Sequence, residues 1–257
     1  MSLNKFQCLL LEEMGIEESI YSKFTDKKTN INKISLLDDN YKSEHLSNIV
    51  VNEIGKKNID NRKDLIDKPD SFANILKLKI KNCKKCVLCN NRKNVVFGTG
   101  VLINVNCMVI GEAPGEYEDI EGKPFVGKSG KLLDMMLDSI NISRLSNAFI
   151  SNIVKCRPPG NRNPRPEEID SCLPYLMDQI DIINPKTILA LGKFAANTLL
   201  CSDESIKNMR GKIHNFQSRK SNIPVVVSYH PAYLLRKPEE KPLSWNDLRL
   251  ISSLIEK

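Results

Sequence analysis

An α/β fold, with a parallel sheet covered by helices on both faces, is what this sequence predicts, and two observations predict it. Apolar runs of strand length alternate along the chain with stretches of helical period. Three chemically unusual segments, Gly111–Gly115, Asn152–Pro159 and Tyr229–Ala232, each follow or overlap the end of one of those apolar runs. Loops at the carboxyl ends of parallel strands are where such folds gather their sites.

The elements follow in order. Cys107–Ile110 is wholly apolar and stops at Gly111, as a strand buried on both faces does. Lys131–Leu137 has helical spacing, and Ala148–Val154 reads as a second strand. Pro166 with Glu167 and Glu168 opens a helix, because a first turn favours proline and acids; Leu173–Ile183 continues it. Thr187–Leu191 is a strand, Phe194–Leu200 a helix, Pro224–Ser228 a strand and Ser244–Ile255 a closing helix.

The 257 residues are 41% hydrophobic and 27% charged, a composition that excludes a wholly disordered or collagenous chain. No apolar run reaches the length of a membrane span. Glu12, Glu13, Glu17 and Glu18 near the start argue against a secretory signal, so an intracellular, cytoplasmic protein is expected. Residues 1–70 are rich in Asn, Lys, Ser and Asp and sum to −2. They are expected to form a flexible extension, with one short helix around Phe6–Met14, that serves an unknown partner. Residues 71–257 then form the globular domain and carry +9, seven of it in Ser71–Gly100, a balance suited to a polyanion.

Gly122–Ser129 matches a phosphate loop in its letters, but Glu116–Glu121, with four acids in six residues, is a poor buried strand to lead into it. Lys128–Ser129–Gly130 opens the next helix instead. Eight cysteines in an intracellular chain suggest metal rather than disulfides. Cys83 and Cys86 form one pair, and Cys156 with Cys172 a second. Four thiolates suit zinc or an iron–sulfur cube, with Cys89 as a rival ligand. Cys107 belongs to the core. His230 stands at a strand exit, unlike His45 and His214, which are expected to face solvent. Glu112 stands at another exit, where a carboxylate can do acid–base work. Asn152 occupies a strand, where Asn is disfavoured, and its amide can pair with a nucleobase edge. Phe125, in a loop, can be core or a platform for a stacked base.

Taken together, Gly111–Glu112–Ala113–Pro114–Gly115, Gly122-x-Pro124–Phe125–Val126–Gly127, Asn152-x-x-Lys155–Cys156–Arg157–Pro158–Pro159 and His230–Pro231–Ala232 resemble the iron–sulfur uracil-DNA glycosylases of family four, over about residues 75–255. The resemblance implies a three-layer α/β/α fold around a four-stranded parallel sheet. It also implies a [4Fe–4S] cluster on Cys83, Cys86, Cys156 and Cys172, leaving Cys89 out. The implied activity is hydrolysis of the bond between uracil and deoxyribose, leaving an abasic site in DNA. Phe125 would stack on a flipped-out uracil and Asn152 would pair with its Watson–Crick edge. His230 would bond the remaining carbonyl, and the backbone of Glu112, Ala113 and Pro114 would close the pocket.

In the best-known uracil glycosylases a water-positioning Asp stands where this chain has Ala113. Glu112 is therefore the first candidate for supporting the sugar cation or the water. Glu118 is a second, through orienting His230. DNA contact would come from Lys128, Arg157, Arg236 and the Lys77–Lys85 stretch, with Leu234 or Leu235 wedged into the gap. A monomer is expected. Two other readings are a metal-stapled nucleic-acid-binding module without catalysis and a P-loop nucleotidase.

Overall fold

The computed structural model describes residues 2–25 and 69–256. In chain order the helices are α1 (Lys5–Glu13), α2 (Glu18–Tyr21), α3 (Pro69–Lys81), α4 (Glu116–Glu121), α5 (Gly127–Asp138), α6 (Pro166–Ile183), α7 (Lys193–Leu200), α8 (Ile206–Met209), α9 (Pro231–Arg236) and α10 (Lys241–Ile255). The strands are β1 (Thr99–Gly100), β2 (Cys107–Gly111), β3 (Ala148–Asn152), β4 (Thr187–Leu191), β5 (Ile213–Gln217) and β6 (Asn222–Ser228).

They form one six-stranded sheet in the order β1-β3-β2-β4-β6-β5. The four central strands run parallel, and β1 and β5 close the edges antiparallel. The expected strands all lie in this parallel centre, and the expected helices all form.

Every residue of β2, β3 and β4 is buried, because both faces of the sheet are covered. Side chains alternate between the faces. Cys107 and Val109 enter one core with Leu133 and Met136 of α5 and with Trp245 and Leu248 of α10. Met108 and Ile110 enter the other, with Leu76 and Ile80 of α3, Leu176 and Ile180 of α6 and Ala195 of α7. The result is three layers, helix on sheet on helix.

Glu116–Glu121, read from its acids as a solvated loop, is α4. Three of those acids, Glu116, Glu118 and Asp119, fall in its first turn, where negative charge suits the unpaired backbone N–H groups. The short edge strands were not expected. β5 alternates exposed and half-buried residues and carries no continuous apolar run.

The start of the chain departs from the expected extension. Residues 2–25 pack onto the first core: Leu3, Cys8, Leu11, Met14, Ile16 and Tyr21 are buried within it. Asn4 caps α1 by accepting from the Gln7 amide at 2.9 Å, and the Gln7 side chain accepts from the Asn4 amide at 3.0 Å. Gln7 then donates to the Ser139 carbonyl at the end of α5, and Lys241 Nζ donates to the Met14 carbonyl at 2.6 Å. Phe24 meets Trp245 edge-on at 5.7 Å, with the Arg249 guanidinium 3.7 Å from its ring centre. Sequence reading placed the segment outside the domain because residues 1–70 as a whole are polar and weakly periodic beyond the first amphipathic stretch; within residues 2–25 most apolar side chains face the core, with Phe6 exposed. Residues 26–68 of the expected extension, including His45, lie outside the described residues.

Leu11 is 0% exposed, so Leu11→Ala should lower stability by about 2–4 kcal/mol, as truncation of a core leucine does. Denaturant unfolding measures this; an unchanged midpoint would mean that the segment does not hold its place in solution.

Candidate functional site

The exits of β2, β3 and β6 meet at one end of the sheet, around a cavity of about 500 Å³. Glu112, Ala113, Pro114, Phe125, Asn152 and His230 all line it, so the structure brings the six expected pocket residues together. Main-chain bonds continue the β2–β3 pairing past the strand ends. Ile153 N donates to the Gly111 carbonyl at 2.9 Å and Val154 N to the Glu112 carbonyl at 3.2 Å. Glu112 and Asn152 therefore leave the sheet side by side.

Two side chains crowd against Gly111. A Cβ there would stand 2.5 Å from Asn152 Oδ1 and 2.7 Å from Phe125 Cζ, so the amide and the phenyl ring both close onto a bare Cα. Asn152 is buried. Among the described residues no group hydrogen-bonds its amide, which leaves donor and acceptor free for a ligand. The Phe125 ring lies nearly parallel to His230, with centroids 5.3 Å apart and planes 28° apart.

Phe125 holds φ at +52°, an unusual conformation for an aromatic residue. Two features hold it there. Arg144 donates to the carbonyls of Pro124 and Phe125, at 3.1 Å each, while its Nε bonds Asp134. Gly130 lets the start of α5 come close, since a Cβ there would meet the Phe125 carbonyl oxygen at 2.0 Å. Glu118 ties this loop to the first one, accepting from Gly115 N at 3.1 Å and Val126 N at 3.0 Å. Contrary to expectation, Glu118 bridges two loops and does not orient His230.

His230 is oriented by its own helix. It caps α9, and its Nδ1 accepts from the Ala232 amide at 3.2 Å. Burial, aided by the charge of Arg236, holds its pKa down to about 4, so the ring is neutral at pH 7. With Nδ1 accepting, the proton resides on Nε2, which leaves that atom a donor. Just upstream, Ser228 at the end of β6 donates to buried Asp247 at 2.8 Å, and Asp247 also accepts from Arg210 and the Gly211 amide. Glu112 is the counterpart of His230: burial alone pushes its carboxyl up to about 7.

The phosphate-loop letters of Gly122–Ser129 do not fold as a phosphate loop, as the acids before them argued. Helix α4, not a strand, leads into Gly122, which ends that helix at φ +69°. Of the expected DNA contacts, Arg236 lines the cavity mouth and Lys128 is exposed in the first turn of α5. Arg157 is engaged with Asn161 at 2.7 Å and with Glu116 at 3.7 Å. Leu234 is 0% exposed in the first core and cannot wedge into anything, whereas Leu235 is 45% exposed. Successive helical residues point about 100° apart, which here puts one in the core and the other on the surface. Sequence reading also missed Asn161, Arg162, Asn163 and Tyr233 at the cavity wall; the run Asn161–Arg162–Asn163 after Pro158–Pro159 was the available signal. His214, expected to face solvent, bonds the Met209 carbonyl at 2.6 Å.

Cys83, Cys86, Cys156 and Cys172 line a second cavity, with Cys89, Arg92 and Lys155. Its sulfurs receive N–H donors: Arg92 to Cys156 at 3.0 Å, the Lys155 amide to Cys172 at 3.3 Å and the Lys85 amide to Cys83 at 3.5 Å. Such donors suit sulfurs that carry negative charge. Among the described residues, no three Cys, His, Asp or Glu side chains come close enough to hold one metal ion.

Residues 97–249 match the family model of the uracil DNA glycosylase superfamily. A type-4 uracil-DNA glycosylase of Pyrobaculum aerophilum is 44% identical over 62% of this chain and 82% of its own length. That of Sulfurisphaera tokodaii is 42% identical over 72% and 85%. That of Thermotoga maritima is 40% identical over 73% and 97%.

Proposed function

The chain belongs to the uracil DNA glycosylase superfamily and to its type-4 branch, and from this we infer that it hydrolyses uracil from DNA, releasing the base and leaving an abasic site for repair. The observation that carries the residue assignments is the shared hollow lined by a free amide and a phenyl ring that close onto Gly111 and by a neutral imidazole stacked beside that ring.

A base must leave the helical stack to enter such a cavity. Phe125 offers its ring to the uracil face. Asn152 accepts from the ring N–H and donates to the adjacent carbonyl. Cytosine reverses that pattern and would leave both amide groups unpaired and buried, which discriminates strongly against it. As the glycosidic bond breaks, negative charge grows on the base and positive charge on the sugar. His230 Nε2–H donates to the base carbonyl that gains charge, and being neutral it needs no proton from solvent first. Glu112, once ionised, stabilises the sugar cation or orients the attacking water. The water supplies hydroxyl to the sugar carbon, and the uracil anion takes up a proton after release.

Arg236, Lys128 and the Lys77–Lys85 stretch are our assignments for the phosphate backbone, Arg157 being partly engaged within the protein. Leu235, exposed next to Arg236, is our candidate to fill the vacated stack. All these groups come from one chain, which favours a monomer as the working unit. No helix among the described residues is long and apolar enough to cross a membrane, and the enzyme would work inside the cell, where its DNA is.

We assign the cysteine cavity to a [4Fe–4S] cluster. The four expected cysteines line one cavity, N–H donors reach three of their sulfurs, and cluster sulfurs are tuned by such hydrogen bonds. Cys83, Cys86, Cys156 and Cys172 would hold it. When bound it supplies a structural cross-link between α3, the exit of β3 and α6, and no step of the hydrolysis requires it.

Three outcomes test this reading. On oligonucleotides carrying U, T or C, the wild type should release uracil, and Asn152→Ala should lower kcat/KM by about 10²–10³-fold, the usual loss for a donor to developing charge; full activity would remove Asn152 from the site. The kcat/KM profile should fall on the acid side with a midpoint of about 7, because Glu112 is protonated below that value while His230 stays neutral to about 4. Glu112→Gln should abolish that limb, and a limb that persists assigns it elsewhere. Cys156→Ala should reduce iron content and folded yield together, read by metal analysis and circular dichroism; wild-type iron in that variant would reject the ligand set.

A further inference from the structure

Lys155 is 0% exposed, yet no carboxylate pairs with it among the described residues. Its Nζ donates to the Asn152 carbonyl oxygen at 2.6 Å and to Ser151 Oγ at 2.7 Å. Its own amide donates to Cys172 Sγ, and its carbonyl accepts from Val96 N at 2.9 Å. The residue that follows is Cys156. One side of Lys155 thus meets the cysteine cavity, and the other meets the peptide that carries the Asn152 side chain.

Burying an ammonium group among neutral oxygens is costly, and a hydrophobe of similar length would pack without that cost. A charge kept under these conditions needs a reason in what it holds. The Asn152 carbonyl lies where β3 leaves the ladder, and a buried carbonyl without a donor is itself unfavourable. The ammonium satisfies it and pins the plane of the Asn152–Ile153 peptide. Turning that plane would swing the side chain attached to it. Ser151 is anchored in turn, with Oγ 3.0 Å from the Phe97 carbonyl and 3.2 Å from Gln179 Oε1, while Gln179 Nε2 donates to the same carbonyl at 2.8 Å. The network runs from β3 to α6, and Lys155 is its only charged member.

We infer that Lys155 is a positioning residue for base recognition: through the Asn152 carbonyl it fixes the direction of the amide that reads uracil, and the anionic sulfurs of the filled cysteine cavity balance its charge. This rests on the reading of Asn152 given above. It assigns the lysine's task to the substrate side of the cavity, although its sequence neighbours serve the metal side.

The test is a double-mutant cycle on the enzyme as purified with its metal. Lys155→Met keeps length and removes charge. It should lower kcat by about tenfold or more on a uracil oligonucleotide while changing KM for DNA little, since the lost interaction is made in the transition state and the phosphate contacts are untouched. Its preference for uracil over cytosine should fall as well. In an Asn152→Ala background the same substitution should change kcat less than about twofold, because residues acting through one another are not additive. Iron per protein should match the wild type.

Ser151→Ala, which removes one anchor and leaves the charge, should show the same pattern with a smaller loss; it serves if Lys155→Met does not fold. Equal losses in both backgrounds, or wild-type kcat in Lys155→Met, would overturn the inference. Full activity in Asn152→Ala alone would instead remove the reading beneath it, and the inference with it.

Discussion

The site depends on an approach that only a glycine at position 111 permits. The ends of β2 and β3 are spliced by main-chain bonds beyond their last paired residues, which brings the Asn152 amide and the Phe125 ring against one bare Cα. With a side chain there, the amide would rotate or the ring would retreat, and the two could not flank one flat ligand. Gly130 does the same for the layer outside, letting α5 press on the Phe125 carbonyl. The cavity is therefore shaped by two missing side chains as much as by those present. The strain at Phe125 is offset by Arg144, whose guanidinium holds two carbonyls and a carboxylate at once.

Electrostatically the site is organised by burial. His230 and Glu112 face the same cavity and both are driven toward their neutral forms. For the histidine this is a standing condition, since its donor tautomer is set by a backbone amide and persists at any physiological pH. For the glutamate it is a poised one, since its carboxyl titrates near neutrality. A neutral donor under the base and a carboxyl that ionises on demand place opposite requirements on one pocket, and burial, the largest cause of both shifts, meets both.

Much of the sheet was legible in the sequence because its centre is buried on both faces and is written as short, mainly apolar runs, Cys107–Ile110 and Thr187–Leu191 most plainly. The pocket was legible because its chemistry sits where those runs stop. Other features were not. Leu234 and Leu235 are the same residue type side by side, and only the phase of a six-residue helix separates core from surface. Arg144 lies in a segment with no motif, and its role appears only when the chain is folded. Glu118 was noticed for its charge, but its partners are amides, which no sequence pattern marks. Residues 2–25 fold onto the domain through one amphipathic helix and its flanks, but they begin a 70-residue stretch whose overall composition is polar, which hid the docking.

That last arrangement ties together segments far apart in the sequence. Gln7 rests on the end of α5, and Met14 and Phe24 rest on Lys241 and Trp245, so residues 2–25 find their full docking surface only once α10 has been synthesised. Until then part of their apolar side would stay uncovered, and the first core would close only when both segments are present. Loss of α10 would expose both halves of that contact and leave an apolar patch open to proteolysis.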